Sequence, residues 1–265
     1  MSTEDRPESG EERRPGIAVL NRAIDILDAF TSGPGTSFSL AELSRRTGLP
    51  KPTVHRFLAA LEHLGLVEKI DSNYQLGLRL FELGERVPRK HALREAALPF
   101  MQDLYEATHE TVHLAVLQGV DVVYLERIRG HRSARVDSRV GGRLPAASTG
   151  VGKAILAFDA AARQRTIAAP LIARTPYTIT DPSVLLTELD RIAESGVAFD
   201  REENSIGVNC AAAPILFHDR AIGAVSVTGS PAHLDVDRIA SAVRTAALGI
   251  QRTLTARHAF RGGDR

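Results

Sequence analysis

From Leu20 the apolar residues recur at helical spacing (Leu20, Ala23, Ile24, Leu27, Phe30), which predicts an amphipathic helix with that face turned to a core. Gly33-Pro34-Gly35 ends it, since neither residue type continues a helix well. Ser39 stands at an N-cap position three residues before Glu42, the capping-box spacing, and opens a short helix that stops at Gly48. A third helix follows at once. Pro50 and Pro52 fall in its first turn, where missing N–H groups cost little. Its apolar stripe is Val54, Phe57, Leu58, Leu61 and Leu64, and Gly65 closes it. Two short helices across a glycine-containing turn are the geometry of a helix-turn-helix. Leu66 to Ile70 and Tyr74 to Leu76 then read as two short strands joined through Asp71-Ser72-Asn73, a small wing.

Further along, Leu78, Leu80, Phe81 and Leu83 keep a helical pattern. Arg94 to His109 reads as a second helical segment interrupted at Pro99, with a charged break, Val87 to His91, between the two. Thr111 to Leu117 and Val120 to Ile128 are β-like, as are the runs ending near Ile215 and Gly229. Leu234, Ile239, Val243, Ala246, Ala247, Ile250 and Leu254 mark a long closing helix. The expected fold is α+β: a disordered arm over 1–16, a winged helix-turn-helix over 17–77, a linker helix over 78–94, a second domain over 95–260 and a disordered tail over 261–265.

Composition adds limits. The chain, 265 residues long, is large enough for two cores, and its net charge of +1 is no polycation, so any case for nucleic acid rests on local clustering. Between Ser44 and Phe57 it carries Arg45, Arg46, Lys51 and Arg56 and no acid. The stripe leaves Lys51, Pro52, Thr53, His55 and Arg56 off the core face near the start of the third helix, the end that enters the major groove in this motif. Arg and Lys there reach phosphates or a guanine edge, and Thr53 suits a phosphate or a thymine methyl. Arg22 on the first helix and Lys69 and Asn73 on the wing complete the candidate DNA-binding set. The competing reading is an ordinary solvated basic face. A single cysteine, Cys210, excludes an internal disulfide and a cysteine-based zinc site. No apolar run reaches membrane-spanning length and the N-terminus has no apolar signal core, which together point to the cytoplasm.

Three stretches carry possible chemistry. His109-Glu110-Thr111-Val112-His113 matches H-E-x-x-H, a zinc-hydrolase pattern that needs both imidazoles on one helix face. The β-like composition from Thr111 argues for a strand, which would separate them; a zinc metalloenzyme is kept as the alternative function. Ser148 or Thr149 can cap a helix starting near Gly150, with two glycines leaving N–H groups open to an anion, or simply allowing tight packing. Val208, Cys210 and Ala212 share one strand face by alternation, as do Ala224, Ser226 and Thr228. That is a small polar site, or else Cys210 is a buried small hydrophobe. The chain shows no Ser-His-Asp set, no paired carboxylates at a plausible site and no cofactor loop.

The run Leu40 to Leu43, Gly48 to Arg56, Leu58 to Leu61, Gly65 to Val67 and Tyr74 to Gly77 resembles the IclR family of transcription regulators. So do Gly152-Lys153-Ala154 and the segment through Pro214 and Gly229, and the likeness covers Val19 to about Leu254. Pro52 departs from it, standing where Ser is commoner. The resemblance implies a C-terminal GAF-like effector domain, an antiparallel sheet flanked by helices. Its pocket would lie at Gly150, Val151, Asp200, Val208, Cys210, Ser226 and Thr228. It further implies a DNA-binding regulator rather than an enzyme, more a repressor than an activator, controlled by a small-molecule effector such as an organic acid. The implied assembly is a dimer or tetramer, joined through the first helix and the linker, on an inverted-repeat double-stranded operator. No cofactor, metal or membrane is implied.

Overall fold

The computed structural model describes residues 18–31, 33, 35–131 and 138–262, and the chain divides into two compact units at Val87/Pro88. In the first unit, α1 (Ala18–Ala29), α2 (Leu40–Thr47) and α3 (Lys51–His63) close on one apolar cluster. Ser39 caps α2 by accepting a bond from Glu42 N, an interaction worth about 1 kcal/mol. The Glu42 carboxylate does not close the reciprocal half of a capping box but binds Arg45 and Arg46 instead. Gly48 ends α2 at φ 68°, the left-handed turn a side chain resists.

The inward face of α1 differs from expectation. Ile26, Ala29 and Phe30 are buried, whereas Leu20 and Ile24 stand 64% and 54% exposed. The helix is apolar on more than one side, and the core took the side that Leu43 and Leu58 complete. A strand the periodicity did not reveal, β1 (Ser37–Ser39), joins β2 (Val67–Ile70) and β3 (Asn73–Leu76) in an antiparallel sheet ordered β1-β3-β2. The wing turn is Asp71-Ser72 alone; Asn73 belongs to β3 and pairs with Ile70. Then α4 (Leu78–Glu85) follows, with no buried residue and with Leu78, Phe81 and Leu83 exposed.

The second unit opens with α5 (Pro88–Thr108), so the helix starts inside the expected charged break. The linker is therefore not one helix over 78–94. Pro99 lies within α5 without interrupting it: its ring is exposed, and Leu93, Ala97, Met101 and Leu104 hold the helix to the core. Six antiparallel strands follow the order β6-β5-β4-β9-β8-β7: β4 (Thr111–Gln118), β5 (Asp121–Ile128), β6 (Arg143–Pro145), β7 (Ala198–Arg201), β8 (Asn209–Phe217) and β9 (Arg220–Gly229). One face, through Val112, Leu114, Ala211, Ala213, Val225 and Val227, packs on α5 and the closing helix α9 (Val236–Gly262). The other face carries α6 (Gly150–Leu156), with α7 (Ala160–Ala168) and α8 (Pro182–Ser195) in the same cluster. This is the α+β architecture expected. α9 runs through Gly262, so residues 261–262 of the expected tail are helical; 263–265 and the arm over 1–16 lie outside the described residues.

Candidate functional site

The nucleic-acid candidates separate into two groups. On α3, Val54, Phe57, Leu58 and Leu61 are buried, which leaves Lys51, Pro52, His55 and Arg56 exposed and Thr53 half-buried at its first turns. Ala59 and Ala60 continue that exposed face, small side chains that let a helix lie close in a groove. Lys69 projects from the wing with its ammonium 5.9 Å from the Tyr74 ring, and Asn73 is half-buried in the neighbouring strand.

Arg46 is occupied otherwise. Its Nε donates to Glu42 at 2.6 Å, its Nη1 donates to the Ala29 carbonyl at 3.0 Å, and its guanidinium lies 3.8 Å over the Phe38 ring. Arg46, and less strongly Arg45, holds the Glu42 carboxyl below the usual carboxylate range. Arg22 lines a 670 Å³ cleft with Asp25, Asp28 and Arg46, where two carboxylates oppose a phosphate. Arg45 also pairs with Glu42 but is 76% exposed.

In the second unit, strand register builds a polar floor. Opposed residues of neighbouring strands share a face, so Thr111, Thr228, Cys210 and Asp200 form one row across β4, β9, β8 and β7. His113, Ser226, Ala212 and Ala198 form the next, and Ala115 and Ala224 the one beyond. The polar members are all buried, and the alanines pack in one cluster with α6. Thr149 caps α6 by accepting from Gly152 N at 3.2 Å. The two glycines here serve close packing: a Cβ on Gly152 would lie 2.2 Å from the Ala146 carbonyl oxygen, and one on Gly150 2.9 Å from Cys210 Sγ. Val151 is buried in the same cluster. Val208 precedes β8, also buried, its carbonyl accepting from Glu202 N at 3.0 Å.

Asp200 Oδ1 accepts from Glu203 N at 2.8 Å and Asn204 N at 3.3 Å. Burial, and then the nearby Glu203 charge, push its carboxyl up to about 7. Burial also pushes the Cys210 thiol up to about 12 and raises the Tyr124 phenol. His113 is held down at about 3 by burial, then by Arg127. Its Nε2 lies 2.7 Å from Ser138 Oγ, its Nδ1 3.3 Å from Thr228 Oγ1, and its ring 4.9 Å from Tyr124. The Ser226 hydroxyl meets the Cys210 thiol, a weak partner, and the buried Ser148 hydroxyl on the turn before α6 has no hydrogen-bond partner.

Thus Gly150, Val151, Asp200, Cys210, Ser226 and Thr228 do meet at one place. The sequence pattern missed Thr111, Tyr124, Ser138 and Glu203 there, and had Lys153 only as part of the Gly152-Lys153-Ala154 resemblance. His113 was legible only as half of a metal motif. In that motif His109 sits at φ 55° after α5, its ring 5.8 Å from Tyr105, while His113 is on β4. The helix that H-E-x-x-H chemistry requires is absent at these residues.

A winged helix-turn-helix followed by a domain with a buried polar floor defines a DNA-binding transcription regulator. The sequence matches the IclR helix-turn-helix domain over residues 19–71 and the C-terminal domain of bacterial IclR regulators over 85–252. The chain belongs to the IclR family of bacterial transcriptional regulators. It is 32% identical over 248 residues to the HTH-type transcriptional regulator XynR of Escherichia coli (strain K12), covering 91% of this chain and 98% of XynR. To BhcR of Paracoccus denitrificans it is 34% identical over 252 residues, 93% and 89% of the two chains. An IclR homologue from Microbacterium hydrocarbonoxydans, solved with 4-hydroxybenzoate, superposes with a TM-score of 0.81 at 30% identity, covering 90% of this chain and all of that one.

Proposed function

We propose that the chain is a homo-oligomeric regulator whose hold on an inverted-repeat operator is set by a small organic effector bound on the polar floor beneath α6. The observation that carries this reading is the floor itself. Four strands contribute buried hydrogen-bonding side chains there, and the Ser226 and Thr228 hydroxyls have only weak partners, a thiol and an imidazole nitrogen at 3.3 Å, so a ligand that offers stronger ones is favoured. The Microbacterium homologue's ligand, a hydroxy acid, is of the size and mixed polarity such a floor suits.

The floor binds rather than reacts. A thiol held near 12 is not ionised at neutral pH, and an imidazole held near 3, with both nitrogens near hydroxyls, is a poor base. The exposed apolar faces of α1 and α4 supply a surface for a second copy, and two recognition helices match a palindrome. Repression is the simplest outcome, because occupancy of an operator needs no contact with polymerase. Such a protein works where chromosomal DNA is, in the cytoplasm; no helix among the described residues is long and apolar enough to cross a membrane.

The test is footprinting of the full chain on the DNA upstream of its own gene, with and without a panel of small acids and alcohols. A protected inverted repeat that one compound releases or tightens is expected. Absence of any protected site overturns the DNA reading, and protection indifferent to every compound overturns the effector reading.

A further inference from the structure

Lys153 is the largest side chain buried below 2% exposure, yet its ammonium is not offered to the floor. Its Nζ donates to Glu203 Oε1 at 2.5 Å and lies 3.6 Å from Glu188 Oε1 on α8. Glu203 in turn donates its backbone N–H to Asp200, so a chain of contacts runs from α6 through the 202–208 loop to the end of β7. The loop is tied down from outside as well. Thr175 Oγ1 donates to the Glu202 carbonyl at 2.7 Å and Thr178 Oγ1 to the Glu203 carbonyl at 2.6 Å, while within the loop Gly207 N donates to Glu202 Oε1 at 2.6 Å. The second carboxylate oxygen, Glu203 Oε2, is buried with no hydrogen-bond partner.

We propose that Lys153 and Glu203 are positioning residues for Asp200: their buried ion pair fixes the loop that aims the Asp200 carboxyl, and together they set the charge an effector meets at that end of the floor. The inference rests on the effector reading for its biological meaning, but not for its test. A buried lysine left single would attract any carboxylate. Here two glutamates neutralise it, and the floor keeps an acid, Asp200, with no salt-bridge partner among the described residues. The groups facing Asp200 from each packed element are Glu203 on its own loop, Lys153 from α6, Cys210 from β8 and Tyr124 from β5. Cys210 and Tyr124 are neutral across the physiological range, so Lys153 and Glu203 are the pair that tunes it. Glu203 raises the Asp200 carboxyl and Lys153 lowers it, both acting on a group already lifted by burial.

The experiment follows the ¹³C carboxyl resonance of Asp200 in full-length protein against pH, assigned by its loss in Asp200→Asn. In the unsubstituted chain the midpoint should lie near neutrality; a midpoint in the ordinary aspartate range, near 4, overturns the inference without any variant. Glu203→Gln removes the like charge and keeps the shape, and should lower the midpoint by about one pH unit. Adding Lys153→Met to that variant removes only the cation and should raise the midpoint again. A merely structural pair would change stability and leave all three midpoints together, which overturns the proposal. Loss of operator release with these midpoints intact would instead count against the effector reading.

Discussion

Gly150 on α6 and Cys210 on β8 approach so closely that a methyl group at 150 would lie 2.9 Å from the thiol sulfur and 3.4 Å from the Ala212 Cβ. Helix and sheet are thus held together by the absence of a side chain. Gly150→Ala should destabilise the second unit by roughly 1–3 kcal/mol through overpacking. Cys210→Ala shortens the facing side chain, so the double variant should recover much of that loss. A thermodynamic cycle by urea unfolding measures the coupling, and additive effects would show that the contact does not limit packing.

Two arginines one helix apart should fail differently. Arg46 is bound to Glu42, the Ala29 carbonyl and the Phe38 face, so Arg46→Met should lower the melting temperature of the first unit. Arg56 is exposed near the start of α3, away from the core face, so Arg56→Glu should leave melting unchanged. It should weaken operator binding at least about tenfold and flatten the salt dependence by about one to two charges. Thermal denaturation beside binding isotherms at several salt concentrations separates the two. Unchanged affinity in Arg56→Glu would remove α3 as the reading helix.

That contrast also shows what the sequence made legible. Spacing, proline placement and the Ser39 cap sufficed for α2, α3 and the wing, because each is decided by residues a few positions apart. Arg46 looked like its neighbours, since its stacking on Phe38 depends on β1, a three-residue strand recognisable only by its pairing with β3. The polar floor was half visible. Alternation put Cys210 with Ala212 and Ser226 with Thr228, but joining them to Thr111, His113 and Asp200 needs the register of four strands drawn from distant segments. Lys153 and Glu203 meet across a sequence separation of 50 residues, and neither shows periodicity that predicts the pair.

Asp200 should make stability depend on pH. Its folded value near 7 lies above the roughly 3.9 of a free aspartate, so the folded state favours the protonated form. The stability linked to that proton is whole below about pH 4 and is lost as pH rises through 7. Asp200→Asn, which cannot ionise, should therefore gain on the unsubstituted chain as pH rises, on the order of 2–4 kcal/mol by pH 8. Denaturant unfolding at pH 5 and pH 8 measures it. A difference that does not change between the two would place the Asp200 carboxyl in the ordinary range.

The exposed face of α4 gives the last prediction. Leu78 and Phe81 are 64% and 63% exposed on a helix with no fully buried residue, an arrangement that costs solubility unless another surface covers it. If a second copy does so, Leu78→Glu with Phe81→Glu should convert the oligomer to smaller species in light scattering. The recognition helix itself is untouched, so affinity for an isolated half-site should hold. Affinity for the complete inverted repeat should fall by at least about 100-fold, because the second half-site is no longer reached at high effective concentration. A variant that stays oligomeric with full operator affinity would move the interface away from α4, leaving the exposed Leu20 and Ile24 of α1 as the next surface to test.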